Sequence, residues 1–249
     1  MEAKTRIATI RILTAGLLAA CLSFSLWGPA CKSKPSSTTS AVMERAMSRS
    51  DAPQKLSQGM TKLMNAVSKE PLGNFHYSSK SQENINPKFP NEQGSKPVIG
   101  PVALEAEVTA DTIQIDSTRG KETKTVNAKK GDQLGWPMAQ LELSGSLFSP
   151  VMAIAVGSST ARAAGSEMVG SVATDKYEFD TANASAAERA GIDAAMGMLG
   201  GRQKLTAVKG TAWIDKATGR VVKFDVATDL SDKAGNSWKE TCEATYTPK

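Results

Sequence analysis

The sequence predicts an α+β protein in which an antiparallel sheet has one face covered by helices. The first observation is the last quarter of the chain, where three strand-like runs at 205–215, 220–229 and 237–247 are separated by turn-forming connections. The second is the alternation in the final run. Trp238, Cys242, Ala244 and Tyr246 point one way, with Glu240 among them, while Lys239, Thr241, Glu243 and Thr245 point the other, so one face is covered and one is wet. The third is the presence of apolar helical patterns earlier in the chain, which supply that cover.

The N-terminus precedes all of this. Lys4, Arg6 and Arg11 stand against the single acid Glu2, and an apolar run at 12–27 follows, which is the layout of an export signal occupying residues 1–30. A transmembrane helix needs about twenty apolar residues, and this run is shorter and holds Thr14, Ser23 and Ser25. Two cysteines offer a processing site. Leu18-Ala19-Ala20-Cys21 resembles the bacterial lipobox, in which the cysteine receives diacylglycerol, although 22–27 stays apolar after it. Cys31 has a poorer preceding triplet, Gly28-Pro29-Ala30, but a Ser, Thr, Pro and Lys tether behind it. Lipidation at Cys21, lipidation at Cys31 and plain cleavage after Ala30 all place the domain outside the cytoplasm, on the periplasmic side of the envelope.

Residues 31–50 read as a flexible tether and 51–249 as a single domain. Asp51 is placed to cap a helix with Pro53 in its first turn; Leu56, Met60, Leu63, Met64 and Val67 recur at helical spacing, and Pro71 and Gly73 end it. A short strand at 74–79 leads into a polar stretch at 81–101 that reads as a long surface loop. Alternation at 102–115 indicates a half-buried strand, with a break near Ala110-Asp111, and 123–126 pairs with it after a turn at Arg119-Gly120. The stretch 132–156 is the most apolar of the domain, and Pro137 and Pro150 predict two helical pieces joined near 144–149. A strand at 168–180 follows. Ser185-Ala186-Ala187-Glu188 then forms a capping box for a helix to about Leu199, closed by Gly200-Gly201.

The chain carries a formal charge of +5. Losing residues 1–30 removes three bases and one acid and leaves +3, too mild to argue for nucleic acid. Hydrolytic chemistry needs a nucleophile beside a base, yet the single histidine, His76, lies between Phe75 and Tyr77 in a strand and no GxSxG elbow accompanies it. An envelope hydrolase therefore requires His76 to sit beside a serine or carboxylate in a cleft. No His and Cys clustering predicts a metal, and no motif predicts a cofactor.

With these elements in place, Lys209-Gly210-Thr211-Ala212-Trp213-Ile214-Asp215 and Thr218-Gly219-Arg220-Val221-Val222-Lys223 resemble the LolA/LppX superfamily of lipoprotein and lipid carriers, in which a strand of the form G-x-A-W-I-D precedes a T-G hairpin. The rest of the likeness is element order over 51–249. The resemblance implies a curved antiparallel half-barrel with helices over its concave face and an apolar cavity between them for acyl chains. It implies no enzymatic activity. Alternation then nominates Trp136, Leu141, Phe148, Met152, Trp213, Phe224, Trp238 and Tyr246 as cavity walls. Lipid or lipoprotein acyl chains are the expected partners, with an envelope protein held by the same fold as the alternative.

Overall fold

The computed structural model describes the backbone of residues 39–69, 71–89, 92, 94–186, 188–190, 192 and 203–249, with side chains from Asp51 on. The expected export signal, both N-terminal cysteines and most of the helix predicted from the Ser185 capping box to about Leu199 lie outside the described residues. Met47–Lys249 forms one compact unit, and Met1–Ala46 is a separate one.

Nine strands make a single curved, unclosed antiparallel sheet. In chain order they are β1 (Phe75–Asn84), β2 (Ile99–Val108), β3 (Thr112–Arg119), β4 (Glu122–Lys129), β5 (Arg162–Val169), β6 (Val172–Asp180), β7 (Gln203–Asp215), β8 (Val221–Asp232) and β9 (Ser237–Pro248). Among the described residues, two long helices accompany them, α1 (Thr39–Ser68) and α2 (Gly135–Gly157). In space the order is β4-β3-β2-β1-β9-β8-β7-β6-β5. Each wing is therefore a simple meander, and the first and last strands meet in the middle.

That order dictates what α2 must do. It connects β4 to β5, the two open edges of the same sheet, so it has to cross the whole concave face. Nine strands at ~4.8 Å spacing are ~38 Å wide when flat, and a 23-residue helix at ~1.5 Å per residue is ~35 Å long, enough for the chord of a curved sheet. The predicted break at the prolines does not occur. Pro137 lies in the first turn, where a backbone N–H has no helical partner to lose. Pro150 lies in the interior, where a proline costs about 3 kcal/mol, but its ring is buried and the helix continues through it.

Other boundaries shift for equally local reasons. α1 starts at Thr39, so Asp51 does not cap it and Pro53 sits inside it; the residues before Asp51 include Ala41, Met43, Glu44, Arg45 and Ala46, all good helix formers. The polar run Lys80 to Asn84 is strand rather than loop, because β1 is central and is paired on both sides, with β2 and β9. The connection thus shrinks to 85–98. The single strand expected at 168–180 is a hairpin, turned at Gly170 with φ +59°, and its first arm, β5, escaped the alternation reading because nearly all of it is exposed. By contrast the β2–β3 break, the β3–β4 turn and the C-terminal meander sit where the sequence puts them. So does the capping box: Ser185 N–H donates to Glu188 Oε2 at 2.6 Å and Glu188 N–H to Ser185 Oγ at 3.3 Å.

One core joins the inner sheet face to both helices. Phe75, Tyr77, Ile113, Ile115 and Phe224 come from the sheet, Leu56, Leu63 and Val67 from α1, and Leu143, Leu147 and Ile154 from α2. α1 is seated by Gly59, where a Cβ would meet Val221 at 3.1 Å and Ile214 at 3.2 Å, and by Lys62 Nζ, which donates to the Thr218 carbonyl at 2.7 Å.

Candidate functional site

The D-K-A-T-G turn that carried part of the family resemblance is explained locally. Asp215 Oδ1 accepts from Ala217 N–H at 2.9 Å, Oδ2 accepts from Thr218 Oγ at 2.5 Å, and Gly219 takes φ +66°. The functional question therefore falls on the roofed face.

The eight nominated wall residues do not share one environment. Trp136, Phe224 and Tyr246 are buried in the common core, whereas Met152 is half-buried on α2 and does not belong to that core. Tyr246 stacks on Phe75 with centroids 4.9 Å apart and accepts from Arg220 Nη1 at 2.8 Å. Trp238 shares their sheet face but lies outside the core, edge-on to Phe89, with its indole N–H donating to Glu240 at 3.0 Å. Leu141 and Phe148 are 51% and 49% exposed on α2. Trp213 is also buried, at 9% exposed, but it does not face the others. It pairs with Lys223 across the ladder, one residue out of phase with Phe224, so its ring is on the outer face between Lys223 and Lys176, and its N–H donates to Glu167.

Beneath the lid the apolar surfaces meet directly. Leu143, Leu147 and Ile154 have no exposure, and the ring of Phe179 is pressed between Gly157 and Gly210. A polar seam interrupts the contact at mid-helix. The Tyr77 hydroxyl is buried beside Ser79 and Ser146 without a well-formed hydrogen bond, and burial pushes its pKa up. Cys242, close by, has its thiol pushed up to about 12, also by burial. Glu142 of α2 takes a hydrogen bond from Ser117 at 2.9 Å and an ion pair from Lys124 at 2.7 Å, which moors the lid to β3 and β4.

A hollow of about 590 Å³ exists, but on the opposite face. Arg162, Glu178, Lys209, Thr211 and Asp225 line it, all in phase with Trp213 on the outer ladders, and none of the eight nominated residues does.

Sequence reasoning missed the other side of α2. Leu134, Met138, Leu141 and Phe148 are all strongly exposed and fall on one helical side. The spacing was legible in the sequence, but a break assumed between the prolines hid its continuity. His76 is partly exposed on the outer face, with Nδ1 2.8 Å from Glu107 and Nε2 3.2 Å from Glu105. The nearby Ser78 hydroxyl donates to Glu105, not to the imidazole, so this group does not assemble a nucleophile and base. Among the described residues no cluster of His, Cys, Asp and Glu is arranged to hold a metal ion.

No protein-family model matches the chain, and no curated protein does. Among solved structures it is similar to the crystal structure of LprF from Mycobacterium bovis, with 18% identity over 79% of this chain and 91% of that one, at a TM-score of 0.30. That superposition is loose, and the architecture rests on the strand order and register alone.

Proposed function

We propose that the chain is an exported protein of the cell envelope, held at a membrane through Cys21 or Cys31, that binds lipid or the acyl chains of lipoproteins by burial alone. The observation that carries this reading is α2, a roof over the concave sheet face that is apolar on both of its sides. Its inner side is buried against the sheet, and its outer side holds Leu134, Met138, Leu141 and Phe148 in solvent. Burying a Leu, Met or Phe contributes about 1.5–3 kcal/mol, so four side chains already about half exposed would gain on the order of 4 kcal/mol against an acyl chain.

A second reading, a protein-binding envelope component, is favoured by one observation: the contact between lid and sheet is filled by side chains while the apolar stripe lies outside. Mass spectrometry of lipid extracted from the purified full chain separates the two. Phospholipid or glycolipid in stoichiometric amount is the expected result, and its absence from membrane-rich preparations would leave the protein-binding reading standing.

A further inference from the structure

The outer side of α2 has a definite shape. Leu134, Met138, Leu141 and Phe148 are 77%, 59%, 51% and 49% exposed, and their spacings of four, three and seven stack them along one line, with exposed Gly145 in the remaining place. The line is about 21 Å long at ~1.5 Å per residue. No charge interrupts it, because Glu142 at its margin is turned toward Ser117 and Lys124.

The neighbouring edge of the sheet supplies the charge. In and around β4, the exposed residues Lys121, Lys124, Lys129 and Lys130 outnumber the exposed acids Glu122 and Asp132, and the Lys124–Glu142 ion pair ties this edge to the helix. An apolar helix face rimmed by lysines matches the boundary of an anionic bilayer, with the side chains at the acyl level and the ammonium groups among phosphates. α2 is long and apolar enough to cross a membrane by length and composition. It has only one side to offer, however, since Ala139, Leu143, Leu147, Ala153 and Ile154 are locked in the core. A flat, interfacial position is the one that keeps the fold.

We infer that the Leu134, Met138, Leu141 and Phe148 side of α2 docks the domain onto an anionic lipid bilayer, with α2 parallel to the membrane plane. The export and anchoring part of the proposed function is assumed; the cargo is not. With α1 starting at Thr39, about eight residues separate it from an anchor at Cys31, a reach of roughly 28 Å at ~3.5 Å per residue, which holds the domain close to its membrane. A second copy is the poorer occupant, because face-to-face pairing would oppose two lysine-rich rims.

The test reconstitutes the full chain through its own anchor into vesicles of phosphatidylcholine, with and without phosphatidylglycerol, doped with a phospholipid bearing a photoactivatable acyl chain. Label is expected in peptides covering 134–148, stronger with the anionic lipid, and lost severalfold in Met138→Gln/Leu141→Gln/Phe148→Gln. Lys129→Glu/Lys130→Glu, which leaves the helix untouched, is expected to remove the dependence on anionic lipid. Label confined to residues before Thr39, or cross-links between the α2 helices of two chains, overturns the inference. Lipid extracted from the unlabelled chain is scored separately: cargo without α2 label sinks docking alone, and α2 label without cargo sinks only the carrier reading.

Discussion

Gly157, in the last turn of α2, lies so close to Phe179 of β6 that a Cβ on it would stand 2.5 Å from the ring Cδ2. Gly210 of β7 closes on the same ring from the sheet side, where an added Cβ would meet Phe179 Cζ at 2.8 Å and collide with the Asp225 carbonyl. The lid's C-terminal end is thus seated by two absent side chains.

Gly157→Ala tests the seat. Helix propensity alone favours alanine by about 1 kcal/mol, while overpacking a core contact costs about 1–3 kcal/mol. Overpacking is expected to win, and Gly210→Ala, which meets backbone rather than a ring that can tilt, is expected to cost more. Urea unfolding midpoints check both, and a midpoint at or above that of the parent for Gly157→Ala would show that the ring yields freely.

The two sides of α2 should respond very unequally to polar or small replacements. Leu141→Ser and Phe148→Ser remove exposed side chains and are expected to change stability by about 0.5 kcal/mol or less. Leu143→Ala and Leu147→Ala, one or two positions away, empty fully buried sites and are expected to cost about 2–5 kcal/mol each. Equal losses on both sides, measured by denaturant titration, would mean that the stripe is covered in the folded protein.

Tyr77→Phe addresses the seam beneath the lid. The hydroxyl is buried without a well-formed hydrogen bond, and a buried group in that condition costs about 1–3 kcal/mol. Its removal is expected to stabilise the fold by about 1 kcal/mol once the small void is discounted. A loss of stability on calorimetry would reveal a firm bond from Ser79 or Ser146.

How much of this was legible in the sequence depended on whether local pattern and tertiary demand agreed. The C-terminal meander was readable because Asp215, Gly219 and Gly235 impose turns locally and β9 alternates with one face buried. The same holds for Ser185 and Glu188, whose reciprocal bonds need only each other. β5 was not readable: its residues are exposed at a sheet edge, so no burial pattern marks them. The unbroken α2 was missed because Pro150 argues locally for a break, while the requirement to bridge β4 and β5 exists only in the assembled sheet. Among the wall residues, parity alone could not place Trp213. The register shift between Trp213 and Ile214 and the two flanking lysines put its ring on the face away from Phe224.

Cys242 makes the fold's response to alkaline pH testable. Burial raises its thiol from an ordinary 9.0 to about 12, so the folded state holds this proton more tightly than the unfolded chain does. The resulting stabilisation is complete below pH 9 and declines as pH rises toward 12. Tyr77, Tyr177 and Tyr246 are raised by burial as well and act in the same direction, so the thiol's share has to be isolated. Cys242→Ala does this: the stability advantage of the parent over the variant, measured by urea unfolding, is expected to be constant below pH 9 and to shrink steadily above it. The same burial predicts that iodoacetamide leaves Cys242 unmodified in the folded chain at pH 8 and modifies it readily in urea. Rapid modification of the native protein would place the thiol in solvent and remove the basis for the pH dependence.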